Sequence, residues 1–199
     1  MKLFEKSLKL QGGELKLQFG KLALAVDTSV YAQLNGAAVL VTVALGPENP
    51  AIDYFPLSIE YVEKLYAGGL IKGSRWIKRE GRPSDEAVLT GRLIDRSVRP
   101  LFPKTFKQQV QVVITLLSVD GSTPVEILSS IAASAALAVS SVPWEGPIST
   151  TKIGYVSPGE GEKGTFLVNP TIEEMQSSSL NLVVSSSQEK VVMIEAQGK

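Results

Sequence analysis

At 199 residues, with 44% hydrophobic and 20% charged side chains, the chain has the composition of a soluble globular protein and can bury a sizeable core as one large or two small units. It contains no cysteine and no histidine, which excludes disulfides, thiolate metal sites, thiol nucleophiles, serine–histidine triads and imidazole ligands, and permits a cytoplasmic location. Its 20 basic and 20 acidic residues cancel; no apolar run reaches the length of a membrane span, and the opening MKLFEKSLKL is not a signal peptide.

The first fifty residues read as β-structure. Leu15 and Leu17, then Leu22, Leu24 and Val26, alternate at period two, and Ala37 to Leu45 is a nearly continuous apolar run of the kind found in a buried strand. Gly12-Gly13, Gly20 and Asn35-Gly36 punctuate these runs as turns. A strand over 57–62 follows. The first helix is predicted after Pro83, with Ser84 as N-cap and Asp85 and Glu86 in its first turn. It should stop near Val98, because Pro100 disfavours a helical Arg99. A buried strand over 110–119 comes next.

The second helix has a clean start signal, with Thr123, Pro124 and Glu126 at N-cap, N1 and N3 of a capping box. Its body, ILSSIAASAALAVSS, is rich in small residues that allow close packing on a sheet. After Pro143 the chain returns to strands over 148–157, 165–168, 180–185 and 190–195, with 159–164 as a hairpin loop. Strands interrupted by two main helices indicate an α+β fold.

Function is expected where the charge is uneven. Between Lys72 and Lys107 there are ten basic residues against four acids, a net of +6, so the remainder carries −6. Such a surface suits a polyanion. Arg92, Arg96 and Arg99 fall on one helical face, with Leu89, Leu93 and Ile94 opposite. That face is either a solvated one, with Asp95 pairing to Arg92 and Arg99, or one that reaches phosphates. In the preceding loop, Trp76 and Ile77 stand beside Arg75, Lys78 and Arg79. Buried, the two apolar residues would be anchors; exposed, they would form a stacking surface flanked by cations, as in proteins that grip single strands. No zinc-finger or helix-turn-helix pattern is present.

The stretch GSRWIKREGRPSDEAVLTGRLIDRSVRPLFP resembles the signature of the first RNase PH-like domain of the polynucleotide phosphorylase family. GGELKLQFGKLALAV, DYFPLSIEYVEKLYAGGLIKGS, VQVVITLLSVDG, IAASAALAVSSVPWEGPI and LVNPTIEEM correspond in order, so the resemblance spans essentially the whole chain. It implies an α+β fold of the RNase PH-like (ribosomal protein S5 domain 2-like) kind, a mixed sheet with two main helices. It also implies that residues 1–199 are one such domain, the N-terminal fragment of a longer chain; the uncovered final strand reads as a truncation.

The family degrades RNA from its 3′ end by phosphorolysis, releasing nucleoside diphosphates. The resemblance therefore implies single-stranded RNA as partner, a second RNase PH-like domain of the same chain, a homotrimeric ring, and Mg²⁺ and inorganic phosphate for the full-length enzyme. None of these cofactors is expected on this domain alone, and no membrane is expected as partner. The RNA-contacting residues implied are Trp76, Ile77, Lys78, Arg79 and Arg82, with Arg92, Arg96 and Arg99 behind them. The family's loop usually has two phenylalanines and two arginines; here Trp76-Ile77-Lys78-Arg79 keeps the charge and one ring, and is one residue longer at Arg75.

In the family the phosphorolytic site belongs to the second RNase PH-like domain. Aligned to its serine-rich phosphate turn, this chain has Thr123-Pro124-Val125-Glu126, where the capping box is expected to fill the anion site from within; the alternative is Glu126 as general base. Ser179 and Asn181 stand where the active half has aspartates. No catalytic and no metal-binding residue is therefore expected here. Two rival readings are a standalone phosphorolytic exonuclease and a non-catalytic subunit of a related ring.

Overall fold

A computed structural model describes residues 3–10, 12–71, 73, 81–157 and 164–198. Two sheets enclose a layer of helices. The larger sheet is formed by β1 (Phe4–Leu10), β2 (Gly13–Phe19), β3 (Thr28–Leu34), β4 (Ala37–Glu48), β5 (Leu57–Glu63) and β6 (Gln108–Ser118), in the order β1-β2-β3-β4-β6-β5. Neighbours are antiparallel except β5 and β6, which run parallel and are linked through α1 (Asp85–Val98), making the sheet mixed. The smaller sheet takes β7 (Ser149–Val156), β8 (Thr165–Val168), β9 (Leu180–Ser186) and β10 (Val191–Gly198) in the order β10-β9-β7-β8, all antiparallel. Between the sheets lie α1 and α2 (Val125–Ala138), and a short α3 (Ile172–Gln176) precedes β9.

The core follows from period-two burial on the strands. Val30, Val39, Val41, Val43, Val110, Val112 and Ile114 are fully buried on one face of the large sheet, and Ile94, Leu128 and Leu137 of the helices pack into the same core. The small residues of α2 let it lie close to β3, β4 and β7, with Ala132, Ala133 and Ala136 fully buried. Asn35, at φ 52°, turns β3 into β4 as the Asn-Gly pair predicts. The helices are joined to the small sheet by buried hydroxyls. Ser97 and Ser185 Oγ lie 2.9 Å apart, Ser185 Oγ and Thr150 Oγ1 2.8 Å, and Thr150 Oγ1 and Ser130 Oγ 2.6 Å, linking α1, β9, β7 and α2.

Four sequence expectations are corrected. Residues 22–26 form turns and bends, not a strand: Gly20 at φ 65° ends β2, Ala23 is left-handed at φ 52°, and Leu24 is 76% exposed. Asp27, which closes this loop, accepts hydrogen bonds from the backbone and hydroxyl of Ser141 beyond α2. Leu89 faces solvent at 62% exposure, while Leu93 and Ile94 are buried as expected. Arg99 is helical, at φ −55° and ψ −42°, because its side chain is anchored on both sides and Pro100 falls in the first turn of a 3₁₀ segment, where its missing N–H costs nothing.

The fourth correction is at α2. Thr123 does not cap it; Pro124 occupies the N-cap position with no side-chain cap, and Thr123 Oγ1 donates to Asp120 Oδ2 at 2.7 Å. A charged carboxylate is the stronger acceptor and outcompetes the helix N-terminus for this hydroxyl. A capping box does form at α3, between Thr171 and Glu174, where none was foreseen.

Candidate nucleic-acid interface

Trp76, Ile77, Lys78 and Arg79 lie outside the described residues. What is described is the frame that carries them. Before the loop, a 3₁₀ turn over Leu65–Gly68 is fixed to β6 by the Val119 N–H to Ala67 carbonyl bond at 3.1 Å, and Ile71 is 91% exposed. After it, Arg82 is exposed, and Ser84 both caps α1 by accepting from the Ala87 N–H and donates to Glu63 Oε2 at 2.7 Å. The loop thus leaves and returns beside the end of β5, the edge strand of the large sheet.

The three arginines of α1 share a helical face but not a role. Arg99 donates through Nε and Nη2 to Asp95 (3.0 and 2.9 Å) and through its two terminal nitrogens to the carbonyls of Phe55 and Leu57 (3.3 and 3.1 Å). It fastens the end of α1 to the start of β5. Arg96 pairs with Glu195 on β10, across to the small sheet. Arg92 has no recorded hydrogen bond or ion pair among the described residues. It is exposed on the rim of a cleft of about 390 Å³ between α1 and β5, lined also by Tyr61, Pro83, Val88 and Gly91.

The acids of this cleft are already engaged: Asp95 by Arg99, and Glu60 by Gln111 at 2.9 Å. Among the described residues the cleft therefore offers an apolar wall and a guanidinium, Arg92, without a salt-bridge partner, with Pro83 on the same wall. Of the expected pairings of Asp95, the one with Arg99 forms, and Asp95 makes no recorded bond to Arg92. Tyr61, on the inner wall, is buried, and burial pushes its phenol well above the ordinary range, so it stays neutral.

A second cluster lies at the start of α2. Asp120 accepts from the N–H groups of Ser122 (3.0 Å), Thr123 (2.8 Å) and Gly36 (3.2 Å) and from the Thr123 hydroxyl. Its desolvation opposes ionisation, yet these four donors outweigh that and hold the carboxyl well below the usual carboxylate range. The chain's own carboxylate thus fills this turn, but it is Asp120 that does so; the D-G-S-T run carried the signal as an Asx turn.

Glu126 does not reach back to cap. Its Oε1 lies 2.7 Å from Lys152 Nζ on β7, with both side chains largely buried, which also leaves it unfit as a free general base. Ser179 donates to the Tyr155 carbonyl at 3.3 Å, and Asn181 presents a neutral amide oxygen that is buried without a partner. A hard divalent cation seeks anionic oxygens, and these positions supply none. Among the described residues no group of three acidic side chains is placed to hold a metal, and no helix is long and apolar enough to cross a membrane. The described residues at these positions do not fit Mg²⁺.

Comparison with known proteins bears on these features. The model of the 3′ exoribonuclease family, domain 1, matches residues 11–143, and domain 2 of the same family matches residues 146–199. The division falls where the chain passes from the large sheet and helices to the small sheet. A polyribonucleotide nucleotidyltransferase of Caldicellulosiruptor saccharolyticus is 46% identical over 191 residues, covering 95% of this chain and 26% of that protein. One from Thermus thermophilus is 43% identical over 190 residues, covering 96% of this chain and again 26% of the relative. The chain thus spans about a quarter of the length of these relatives. Rice Rrp46, a solved structure, superposes with a TM-score of 0.73 over 95% of this chain and 82% of its own, at 11% identity; that likeness concerns the fold.

Proposed function

The chain belongs to the 3′ exoribonuclease family, and from that premise we propose that it is the RNA-guiding, non-catalytic RNase PH-like part of a polyribonucleotide nucleotidyltransferase. In this reading the whole protein shortens RNA from its 3′ end, with inorganic phosphate attacking the terminal linkage to release nucleoside diphosphates. The observation that carries it is the split between the two clusters. The α1–β5 cleft carries Arg92, which has no ion-pair partner among the described residues, and Arg82 is exposed just before Pro83 of its wall, whereas at the start of α2 Asp120 and Glu126 are engaged within the fold. Arg82 and Arg92 would contact RNA phosphates, joined by Lys78 and Arg79 of the loop, while Trp76 and Ile77 would pack against bases. Arg96 and Arg99 would act indirectly, by holding α1 in place.

Mg²⁺ and phosphate would be used by another part of the full-length protein, and a homotrimeric ring with a second RNase PH-like domain would complete the RNA path. The test is phosphate-dependent release of nucleoside diphosphates from poly(A) with magnesium, together with RNA binding by the same 199-residue protein. Binding without release is expected. Release at a steady rate by the folded chain would overturn the assignment of this part as non-catalytic.

A further inference from the structure

Glu63 is an acid beside the two cations proposed to meet RNA. It ends β5, directly after Val62 on the wall of the α1–β5 cleft, and it is exposed. By charge alone a carboxylate there opposes a polyanion, so its place calls for another reason. Ser84 supplies one. Its Oγ accepts from the Ala87 N–H at 3.0 Å, which caps α1, and its hydroxyl proton goes to Glu63 Oε2 at 2.7 Å. A carboxylate is a stronger acceptor than a neutral oxygen, and with the proton committed to it the lone pairs of Oγ are left for the helix N–H. The helix side of this joint is fixed in turn. The Ser84 carbonyl accepts from the Val88 N–H at 3.0 Å, Ala87 is buried, and a Cβ at Gly91 would stand 3.6 Å from the Ile59 carbonyl, so α1 lies close on β5.

Glu63 and Ser84 are 21 positions apart, and their hydrogen bond closes the intervening chain at its exit. At its entry, backbone bonds do the holding: the Ala67 carbonyl accepts from the Val119 N–H at 3.1 Å and the Leu65 carbonyl from the Leu70 N–H at 3.0 Å. At the exit Pro83 has no N–H to give. Among the described residues it is the Ser84 side chain that ties the chain just before α1 to β5. The tie keeps Pro83 on the cleft wall that also carries Arg92. Arg82, exposed and without a recorded partner among the described residues, follows directly from it.

We propose that Glu63 is a positioning residue for RNA: through the Ser84 hydroxyl it fixes where Arg82 stands relative to Arg92, so that the two meet the strand together. This role rests on the RNA-guiding function proposed above. Glu63 itself touches no RNA. When the joint is lost, Arg82 is in place in a smaller fraction of molecules, and the apparent affinity falls by that fraction. The phosphates met in the complex stay the same, so the salt dependence of binding does not change with it. Removing a phosphate-contacting cation does the opposite and lowers the slope.

The test compares Glu63→Gln with Glu63→Ala in poly(A) binding by the 199-residue protein across a range of salt. Glu63→Gln keeps an oxygen that accepts the Ser84 proton and should bind at least as tightly as wild type. Glu63→Ala removes the same charge and the acceptor with it, and should bind about threefold more weakly than Glu63→Gln at an equal salt slope. Ser84→Thr retains both bonds and should match wild type. Ser84→Gly keeps the N-cap at small cost but has no hydroxyl, and should weaken binding as Glu63→Ala does. In an Arg82→Ala background the difference between the two Glu63 variants should disappear, because the joint acts through Arg82. Equal binding by Glu63→Ala and Glu63→Gln, with wild type binding poly(A), overturns the positioning role alone. A difference that persists in full without the Arg82 side chain overturns it as well. A folded wild-type chain that does not bind poly(A) overturns the RNA reading itself, and the positioning role falls with it.

Discussion

Replacing Arg92 and Arg99 separately by alanine should separate RNA contact from scaffold. Arg99 makes four donor contacts, two to Asp95 and one each to the Phe55 and Leu57 carbonyls. A charged hydrogen bond fully shielded from water contributes about 1.5–3 kcal/mol, but the Arg99 side chain is 39% exposed, so about 0.5 kcal/mol for each contact is the discounted figure. Arg99→Ala should therefore cost about 2 kcal/mol. With a urea dependence of about 2 kcal/mol per M, the unfolding midpoint falls by about 1 M.

Arg92→Ala removes no recorded partner and should leave stability within about 0.5 kcal/mol of wild type. RNA binding should respond in the opposite way. Each phosphate contact to a single strand contributes about −0.7 to the slope of log K against log salt, so Arg92→Ala should reduce the slope by about 0.7. At about 1 kcal/mol for the contact, affinity should fall about fivefold. Arg99→Ala should keep the wild-type slope, measured where the variant is still folded. The division of roles is refuted if Arg99→Ala lowers the slope as much as Arg92→Ala does while its urea midpoint stays in place.

Three further outcomes can be checked. Asp120 has a folded pKa below its unfolded one, so its contribution is present above about pH 4 and is lost as pH falls towards the depressed folded value; wild type should lose stability below pH 4 more steeply than Asp120→Asn, and equal acid limbs would show the four donors to be energetically idle. Glu126→Gln leaves Lys152 without its carboxylate in a largely buried site, which should cost about 1–2 kcal/mol in thermal or urea unfolding and confer no phosphorolysis; unchanged stability would count against the ion pair. Ser185→Val puts a methyl pair between Ser97 and Thr150 Oγ1 and should cost about 1–3 kcal/mol, with Ser185→Ala milder; a neutral Ser185→Val would mean that the hydroxyl chain does not hold the small sheet to the helices.

Legibility in the sequence tracked how local each signal was. The caps and turns of β3–β4 and α1 depend on neighbours in sequence, so Asn35-Gly36 and Ser84 announced themselves. The strands β4 and β6 were equally plain, because long runs of β-branched and apolar residues suit the centre of a sheet, although only alternate residues are fully buried over most of their length. Residues 22–26 misled for the same reason: alternation is a necessary mark of a half-buried strand but not a sufficient one, and Ala23's left-handed backbone has no sequence signature. Thr123 was misread because the competitor for its hydroxyl, Asp120, was not weighed against the helix N-terminus. The partner of Glu126 could not be read at all, since Lys152 lies 26 positions away and joins it only when β7 packs beside α2.

The arginines of α1 show most clearly what helical periodicity does and does not determine. Arg92, Arg96 and Arg99 project in nearly one direction, but a rise of 1.5 Å per residue spreads them along about 10 Å of axis. Over that distance the surroundings change from an open cleft to the edge of β10 and then to the start of β5. Each guanidinium has different surroundings: no partner among the described residues for Arg92, Glu195 for Arg96, and Asp95 with two carbonyls for Arg99. Part of the basic excess between Lys72 and Lys107 is therefore neutralised within the fold, and among the described residues of α1 and its approach it is Arg82 and Arg92 that remain for a polyanion. A charge count over the segment overstates the electrostatic footprint by the cations that hold the helix, and the salt slope of RNA binding should be correspondingly shallower than ten basic residues would suggest.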